Sequence, residues 1–305
     1  MHVIKMNWRW YLPLSLFLVG SLIVAGVLLV KRSKQAMEYN AFHAFFCMKN
    51  TECIANTTIP KVIYRTAKSS DLSTSHQKAW DYTQKHNPDF KQVLLNDAMA
   101  DAFMKKALGG TIYDTYARIV PGAAKADLLR YTLMYELGGV YLDIKSGAKS
   151  LCHLLRPNDK MLVASGKQSD LLPWVLPNGK TLYNNFGEIQ QWWLVSAAKH
   201  PIMLAVVNAV VTEIRRRVAE GRCKKESVYD DSFSSLFKDY LYTYDIMETT
   251  GPIKFGEVVL REVNRGNTDV RLTCANGNDI FVYDVAGDHA GGAGYSAPGK
   301  FFRCA

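Results

Sequence analysis

A double glycine, Gly138-Gly139, most restricts how this chain can fold, because it separates an expected helix from an expected strand. The helix follows Pro121-Gly122 and runs from about Ala123 to Leu137, and the strand is the apolar run Val140-Tyr141-Leu142. Glycine accepts left-handed backbone that other residues resist, so the helix can stop sharply and the strand can run back alongside it. Asp143 then stands at the carboxyl end of a strand, the edge at which open α/β sheets bind ligands.

Similar alternation runs on both sides of this unit. Lys61-Val62-Ile63-Tyr64 and Gln92-Val93-Leu94-Leu95 read as strands, and Ser73 to His86 between them reads as a helix ended by Asn87-Pro88. Asp97 is the expected N-cap of a helix running to Leu108 and closed by Gly109-Gly110. Farther on, Met161 to Ala164 and Ile280 to Tyr283 read as strands, and Pro201 to Glu220 as a helix closed by Gly221. Strands alternating with helices imply βαβ units, and hence one α/β domain over 59–305 with a mostly parallel, Rossmann-related sheet flanked by helices.

The first thirty residues break this pattern. Tyr11 to Val30 holds no charged residue, and a helix of that length reaches about 30 Å, enough to cross a bilayer core. Trp8, Trp10 and Tyr11 flank one end and Lys31, Arg32 and Lys34 the other, as at membrane interfaces. The segment reads as a signal anchor: a short cytosolic tail at 1–10, a transmembrane helix at 11–30 and a luminal stem at 31–58. A cleaved signal peptide is the alternative, but it needs a shorter apolar region and a small-residue cleavage site, which Lys31-Arg32-Ser33-Lys34 does not supply.

Basic residues on both flanks leave orientation open by the positive-inside rule. The sequon Asn56-Thr57-Thr58 and six cysteines (Cys47, Cys53, Cys152, Cys223, Cys274 and Cys304) lie on one side of the apolar segment, which suits an oxidising lumen. The expectation is a type II membrane protein of the Golgi or endoplasmic reticulum. Cys47 and Cys53 are the first disulfide pairing to expect; zinc is the rival reading, disfavoured by the lack of a CxxC pair and of clustered histidines. A net charge of +9 suits anionic partners such as nucleotide diphosphates, acidic glycans and lipid headgroups. Nucleic acid is not expected, since the basic residues are scattered and Arg215-Arg216-Arg217 is the one tight run.

The chemistry concentrates in Ala126-Asp127-Leu128-Leu129-Arg130-Tyr131 and Tyr135-Glu136-Leu137-Gly138-Gly139-Val140-Tyr141-Leu142-Asp143-Ile144-Lys145. Asp127 and Arg130 are three apart on a helix and Tyr131 is four from Asp127, so all three share a face. An exposed helical ion pair is the plain reading of Asp127 and Arg130 taken alone. With Ile59-Pro60-Lys61-Val62-Ile63 ahead of them, these segments resemble, in order, the family of glycosyltransferases with a DXD-containing sugar-binding region, family 32 in the usual classification. Its members include mannosyl-, galactosyl- and N-acetylglucosaminyltransferases.

The resemblance implies a GT-A-like fold and transfer of a sugar, with retention of anomeric configuration, from a nucleotide-diphosphate sugar to a glycan, glycoprotein or glycolipid acceptor. It implies that Asp127 and Arg130 grip donor hydroxyls and diphosphate, that Asp143 contacts ribose, sugar or metal, and that Thr66 lies beside the base. Tyr131 and Gly139 join the donor-binding set. Ser196 to Pro201 and Thr250-Gly251-Pro252 resemble later family elements.

Lys145 stands where the family has its second aspartate. Protonated lysine cannot ligate a cation, so dependence on Mn2+ or Mg2+ is in question; the ammonium can face the diphosphate instead. The other reading is a solvated lysine in a catalytically silent protein that binds nucleotide sugars or glycans. His289, in Asp288-His289-Ala290-Gly291-Gly292, is the candidate late metal ligand beside Asp143, or else a structural histidine. Trp174 and Trp192-Trp193 either stack on sugars or pack in the core. The topology has a direct check: Asn56 is expected to carry glycan after passage through a secretory pathway, and a mass unchanged by glycosidase would count against it.

Overall fold

Alternation in the first strand places Ile63 and Arg65 on a buried face and Tyr64 and Thr66 on a half-buried one. The computed structural model describes residues 56–164, 174–175, 181–182, 189–221, 244–267, 269–273, 279–287, 301 and 303. The expected tail at 1–10, membrane segment at 11–30, most of the expected stem, the expected Cys47–Cys53 pairing, the Trp174 ring and His289 lie outside what is described. No helix among the described residues is long and apolar enough to cross a membrane. Cys152 is disulfide-bonded.

In chain order the elements are β1 (Val62–Thr66), α1 (Thr74–His86), β2 (Lys91–Leu95), α2 (Asp97–Lys106), α3 (Gly110–Arg118), α4 (Gly122–Leu137), β3 (Gly139–Leu142), β4 (Gly147–Ala148) and β5 (Met161–Ala164). There follow β6 (Trp174–Val175), β7 (Thr181–Leu182), β8 (Trp193–Ser196), α5 (Pro201–Ala219), α6 (Pro252–Asn264), β9 (Val270–Thr273) and β10 (Phe281–Val282). Helical residues 244–249 precede α6.

Local chemistry explains several helix ends. Ser73 caps α1 through its hydroxyl, which accepts from the His76 N–H at 3.3 Å. At α2 the cap is Asn96, whose Oδ1 accepts from the Met99 N–H at 2.9 Å; the expected cap, Asp97, is the first helical residue, where its charge still favours the positive helix end. Gly109-Gly110 does not simply close a helix. Gly109, at φ +92°, caps the start of α3, a helix not expected from the sequence. Two β-branched threonines and two glycines conceal it, whereas burial of Ile112, Thr115 and Tyr116 on one face sustains it.

The main sheet has the order β2-β1-β3-β8-β5-β9. Pairs β1–β2, β1–β3 and β5–β9 are parallel, but β8 runs antiparallel to both β3 and β5. The sheet is therefore mixed, where a mostly parallel one was expected, since four apolar residues such as Trp193–Ser196 carry no mark of direction. Phe281–Val282 also leaves the main sheet and pairs antiparallel with β4.

Helices cover one face of the sheet, where Leu128, Leu133 and Met134 of α4 pack with Met203, Val207 and Val210 of α5, Phe255 and Val258 of α6, and Tyr141, Met161 and Leu194 of the sheet. Each aliphatic side chain so buried contributes roughly 1.5–3 kcal/mol. The other face packs Ile63, Val140, Leu142 and Trp193 against Leu151, Leu154, Leu155 and Phe281. Because α4 is buried nearly all round, any polar side chain on it must find a partner inside the protein.

The double glycine is required by contact as well as by backbone. Gly138 has φ +65°, and a Cβ there would run into the backbone of Ala198; Gly139 has φ +96°, and its Cβ would lie 2.6 Å from the Val62 carbonyl oxygen. Gly139→Ala is expected to cost on the order of 3 kcal/mol in urea denaturation, from strain and close packing together. A stability unchanged within error would show that the β1–β3 junction is not so constrained.

Candidate active site

Parallel pairing of β1 and β3 brings the carboxyl ends of both strands to one edge, Thr66 finishing β1 and Asp143 following β3. Three side chains join there. The Tyr141 hydroxyl donates to Asp143 Oδ1 at 3.1 Å and lies 3.2 Å from the Thr66 hydroxyl. As the carboxylate only accepts, the Tyr141 hydrogen goes to Asp143 and Thr66 donates to Tyr141. Burial raises the Tyr141 pKa, Arg130 opposes the shift and Asp143 adds to it, so the hydroxyl keeps its proton.

From the helix side, α4 aims Asp127, Arg130 and Tyr131 at the same edge. Arg130 Nη2 lies 3.2 Å from Asp143 Oδ1 and 3.4 Å from Asp127 Oδ1, while Nη1 donates to the Gln191 carbonyl at 3.0 Å. Its guanidinium lies 4.7 Å over the Tyr141 ring. Burial alone would lower the Arg130 pKa, but Asp143, Tyr141 and Asp127 outweigh it and drive it upward.

Asp127 faces inward. Thr250 Oγ1 donates to its Oδ2 at 2.8 Å and Gln191 Nε2 to its Oδ1 at 3.2 Å. Burial raises its pKa, against the pull of Arg130 and of the two hydrogen bonds. The Tyr131 hydroxyl lies between Gln191 Oε1 and the Thr250 carbonyl, and its ring stacks on Phe255 at 5.5 Å. The side chain of Asp143 is 27% exposed and those of Asp127 and Arg130 only 4% and 8%, so Asp143 is the carboxylate that an incoming ligand can reach.

Lys145 sits in the turn after Asp143 with its ammonium 4.4 Å over the ring of Tyr283, which is exposed. Tyr283 meets half-buried Trp192 edge to face at 5.2 Å, and the Trp192 carbonyl accepts from the Asp143 N–H at 2.9 Å. Trp193 belongs to the core, stacked on Phe281 at 4.2 Å.

Gly139 is not part of this cluster. It begins β3 at the end opposite Asp143, and its missing side chain serves contact with Val62. Asn56 is exposed at the start of the described residues. Among the described residues no three His, Cys, Asp or Glu side chains converge; Asp143 pairs with Arg130, the position two residues on is Lys145, and the other expected ligand, His289, lies outside them.

Gln191, Thr250, Tyr141 and Arg65 join the network beyond the expected site residues. Thr250 lies in a segment already noted, and Gln191 has no local pattern to mark it. Arg65 has a signal, a charge inside an apolar strand. It is fully buried, with Nε donating to Gln92 Oε1 at 3.2 Å, Nη2 to Thr83 Oγ1 at 2.7 Å and Nη1 to the carbonyls of Asp143, Ile144 and Ser146 at 3.1, 3.2 and 2.6 Å. Burial lowers its pKa to about 10, with Tyr141 and Asp143 partly offsetting the shift.

Residues 73–160 match the family model described as "Glycosyltransferase sugar-binding region containing DXD motif", a span holding Asp127, Arg130, Asp143 and Lys145. Over this region the chain is similar to that family. Mannosyl phosphorylinositol ceramide synthase CSH1 of Saccharomyces cerevisiae is 30% identical over 91 residues, 30% of this chain and 24% of that protein. The initiation-specific alpha-1,6-mannosyltransferase of Candida albicans is 23% identical over 197 residues, 62% of this chain and 47% of that protein. The matches thus span about a quarter to about half of these curated relatives. Among solved structures, PaToxG glycosyltransferase aligns with TM-score 0.46 and 14% identity, over 78% of this chain and 81% of that one.

Arg130→Ala would leave Asp127 buried without its cation and is expected to cost about 3–5 kcal/mol. Adding Asp127→Asn should recover part of the loss. A double-mutant cycle by urea denaturation measures this, and strictly additive effects would show that the two side chains are not coupled.

Proposed function

We propose that this chain is a retaining glycosyltransferase of GT-A-like fold that moves a hexosyl group, mannosyl by kinship, from a nucleotide-diphosphate sugar to a glycan or lipid acceptor. The observation that carries this reading is the partly exposed Asp143 carboxylate, fixed by Arg130 and Tyr141 at the carboxyl edge of the sheet, inside the family's sugar-binding region. The named relatives include both a phosphorylinositol ceramide enzyme and an alpha-1,6-mannosyltransferase, so both acceptor classes belong to the proposal. An N-terminal anchor and a Golgi or endoplasmic reticulum lumen complete it, on the strength of the 11–30 segment and the Asn56 sequon.

In this scheme Asp143 accepts from hydroxyls of the donor and holds it against the sheet edge. Arg130, fixed from behind by Asp127 and Gln191, orients Asp143 and adds positive charge. The bond between the anomeric carbon and the diphosphate oxygen breaks with its electron pair on the oxygen. The acceptor hydroxyl oxygen bonds to that carbon on the same face and gives its proton to the departing diphosphate. Lys145 meets the charge growing on the leaving group, the part that a cation plays where the motif has its second acid. Reduced dependence on manganese is part of the proposal.

A second reading, favoured by Lys145 in place of an acid, is a catalytically silent binder of nucleotide sugars or glycans. The test is a panel of nucleotide sugars offered to the full chain with and without manganese after chelation, reading hydrolysis, transfer and thermal shift. Turnover that falls about 100-fold or more in Asp143→Asn with the fold retained is the expected result. Binding without turnover of any donor would establish the silent reading, and an Asp143→Asn variant as active as the parent would remove the carboxylate from the site.

A further inference from the structure

Arg65 is a buried guanidinium that the scheme above does not use. It has no exposure to solvent, and its partners are carbonyl, amide and hydroxyl oxygens; among the described residues no carboxylate pairs with it directly. A buried charge lacking an opposite charge in contact costs several kcal/mol unless dipoles surround it. Here the dipoles come from one place above all, the turn that carries Asp143 and Lys145.

The contacts are asymmetric. Nε and Nη2 fix the guanidinium against Gln92 of β2 and against Ala79 and Thr83 of α1, both rigid elements. Nη1 alone then collects the carbonyls of Asp143, Ile144 and Ser146. A trans peptide sets its N–H opposite its C=O, so drawing the first two carbonyls onto Arg65 turns the N–H groups of Ile144 and Lys145 to the far side of the turn. The turn is also tied back on itself, Ser146 N–H donating to the Asp143 carbonyl at 2.9 Å. Thr83 extends the grip one step along, its hydroxyl accepting from the Ala148 N–H at 3.2 Å.

We infer that Arg65 is a positioning residue for glycosyl transfer: from the face of the sheet opposite Arg130 it sets the Asp143–Ser146 turn, so that the Asp143 carboxylate and the Lys145 peptide present one fixed geometry to the donor. Arg65 itself touches no substrate. Arg130 fixes the carboxylate end of Asp143 and Arg65 the backbone end, and the two guanidiniums together leave the residue little freedom to turn. The inference rests on the proposed activity for one of its two readouts.

The experiment compares the full chain with Arg65→Lys and Arg65→Met. Lysine keeps the charge but lacks the planar fork needed to reach Gln92, Thr83 and three carbonyls together. In both variants amide hydrogen exchange at residues 146 and 148 is expected to rise about tenfold or more, with α4 and β8 unchanged. Donor turnover should fall roughly ten- to a hundredfold in Arg65→Lys, with KM for the donor nearly unchanged. Exchange that is unaltered at the turn, or faster throughout the domain, would overturn the inference, as would a loosened turn with full turnover. A parent chain that turns over no nucleotide sugar would defeat the proposed activity instead, and exchange alone would then decide whether Arg65 sets the turn.

Discussion

The candidate site depends on one interaction, the bridging of Asp127 and Asp143 by the Arg130 guanidinium. Each partner comes from a different layer: Asp127 and Arg130 from the central helix α4, and Asp143 from the end of β3. An ion pair on a solvated helix contributes a few tenths of a kcal/mol. Inside the protein the same two residues cannot be separated so cheaply, because water no longer replaces a lost partner. That is why Thr250, Gln191 and Tyr131 gather around the pair, supplying the remaining donors and acceptors. Their segments, 189–191 and 244–250, are thereby tied to α4, so the chemistry and the packing of three distant stretches of chain share one polar centre.

At the edge, charge is distributed unevenly. Asp143 is the partly exposed acid, with Arg130 on one side, buried Arg65 beneath its backbone and Lys145 two residues on. A motif built for a divalent ion would place a second acid at 145; here a lysine lies over Tyr283 instead. Two buried guanidiniums and the Lys145 ammonium thus stand around the Asp143 turn.

Several features were legible because they are local. Ser73 and Asn87 bracket α1 as their capping chemistry requires, and Gly138-Gly139 ends α4 where expected. The spacing of Asp127, Arg130 and Tyr131 does put them on one face of a helix. Where the structure departs from expectation, a non-local contact decides. Helix α3 exists through the burial of Ile112, Thr115 and Tyr116, although its glycines and threonines argue against it. Gly139, expected in the donor set, begins β3 at the end opposite Asp143, where the close approach of the Val62 carbonyl leaves no room for a side chain.

By itself the sequence determined the order of helices and strands around the double glycine, the departure at Lys145 and the group of acidic and basic residues that a sugar-transfer site would use. These are set by backbone preference and by residue type, which act over a few neighbours. Only the tertiary structure decided that β8 runs antiparallel in a mixed sheet, that Asp127 is buried while Asp143 stays partly exposed, and that Gln191, Thr250 and Arg65 belong with them. Strand direction and the partner of a buried charge depend on which segments meet in space. A buried polar group accepts whatever donor packing delivers, from 61 or 123 residues away, and no spacing along the chain records that choice.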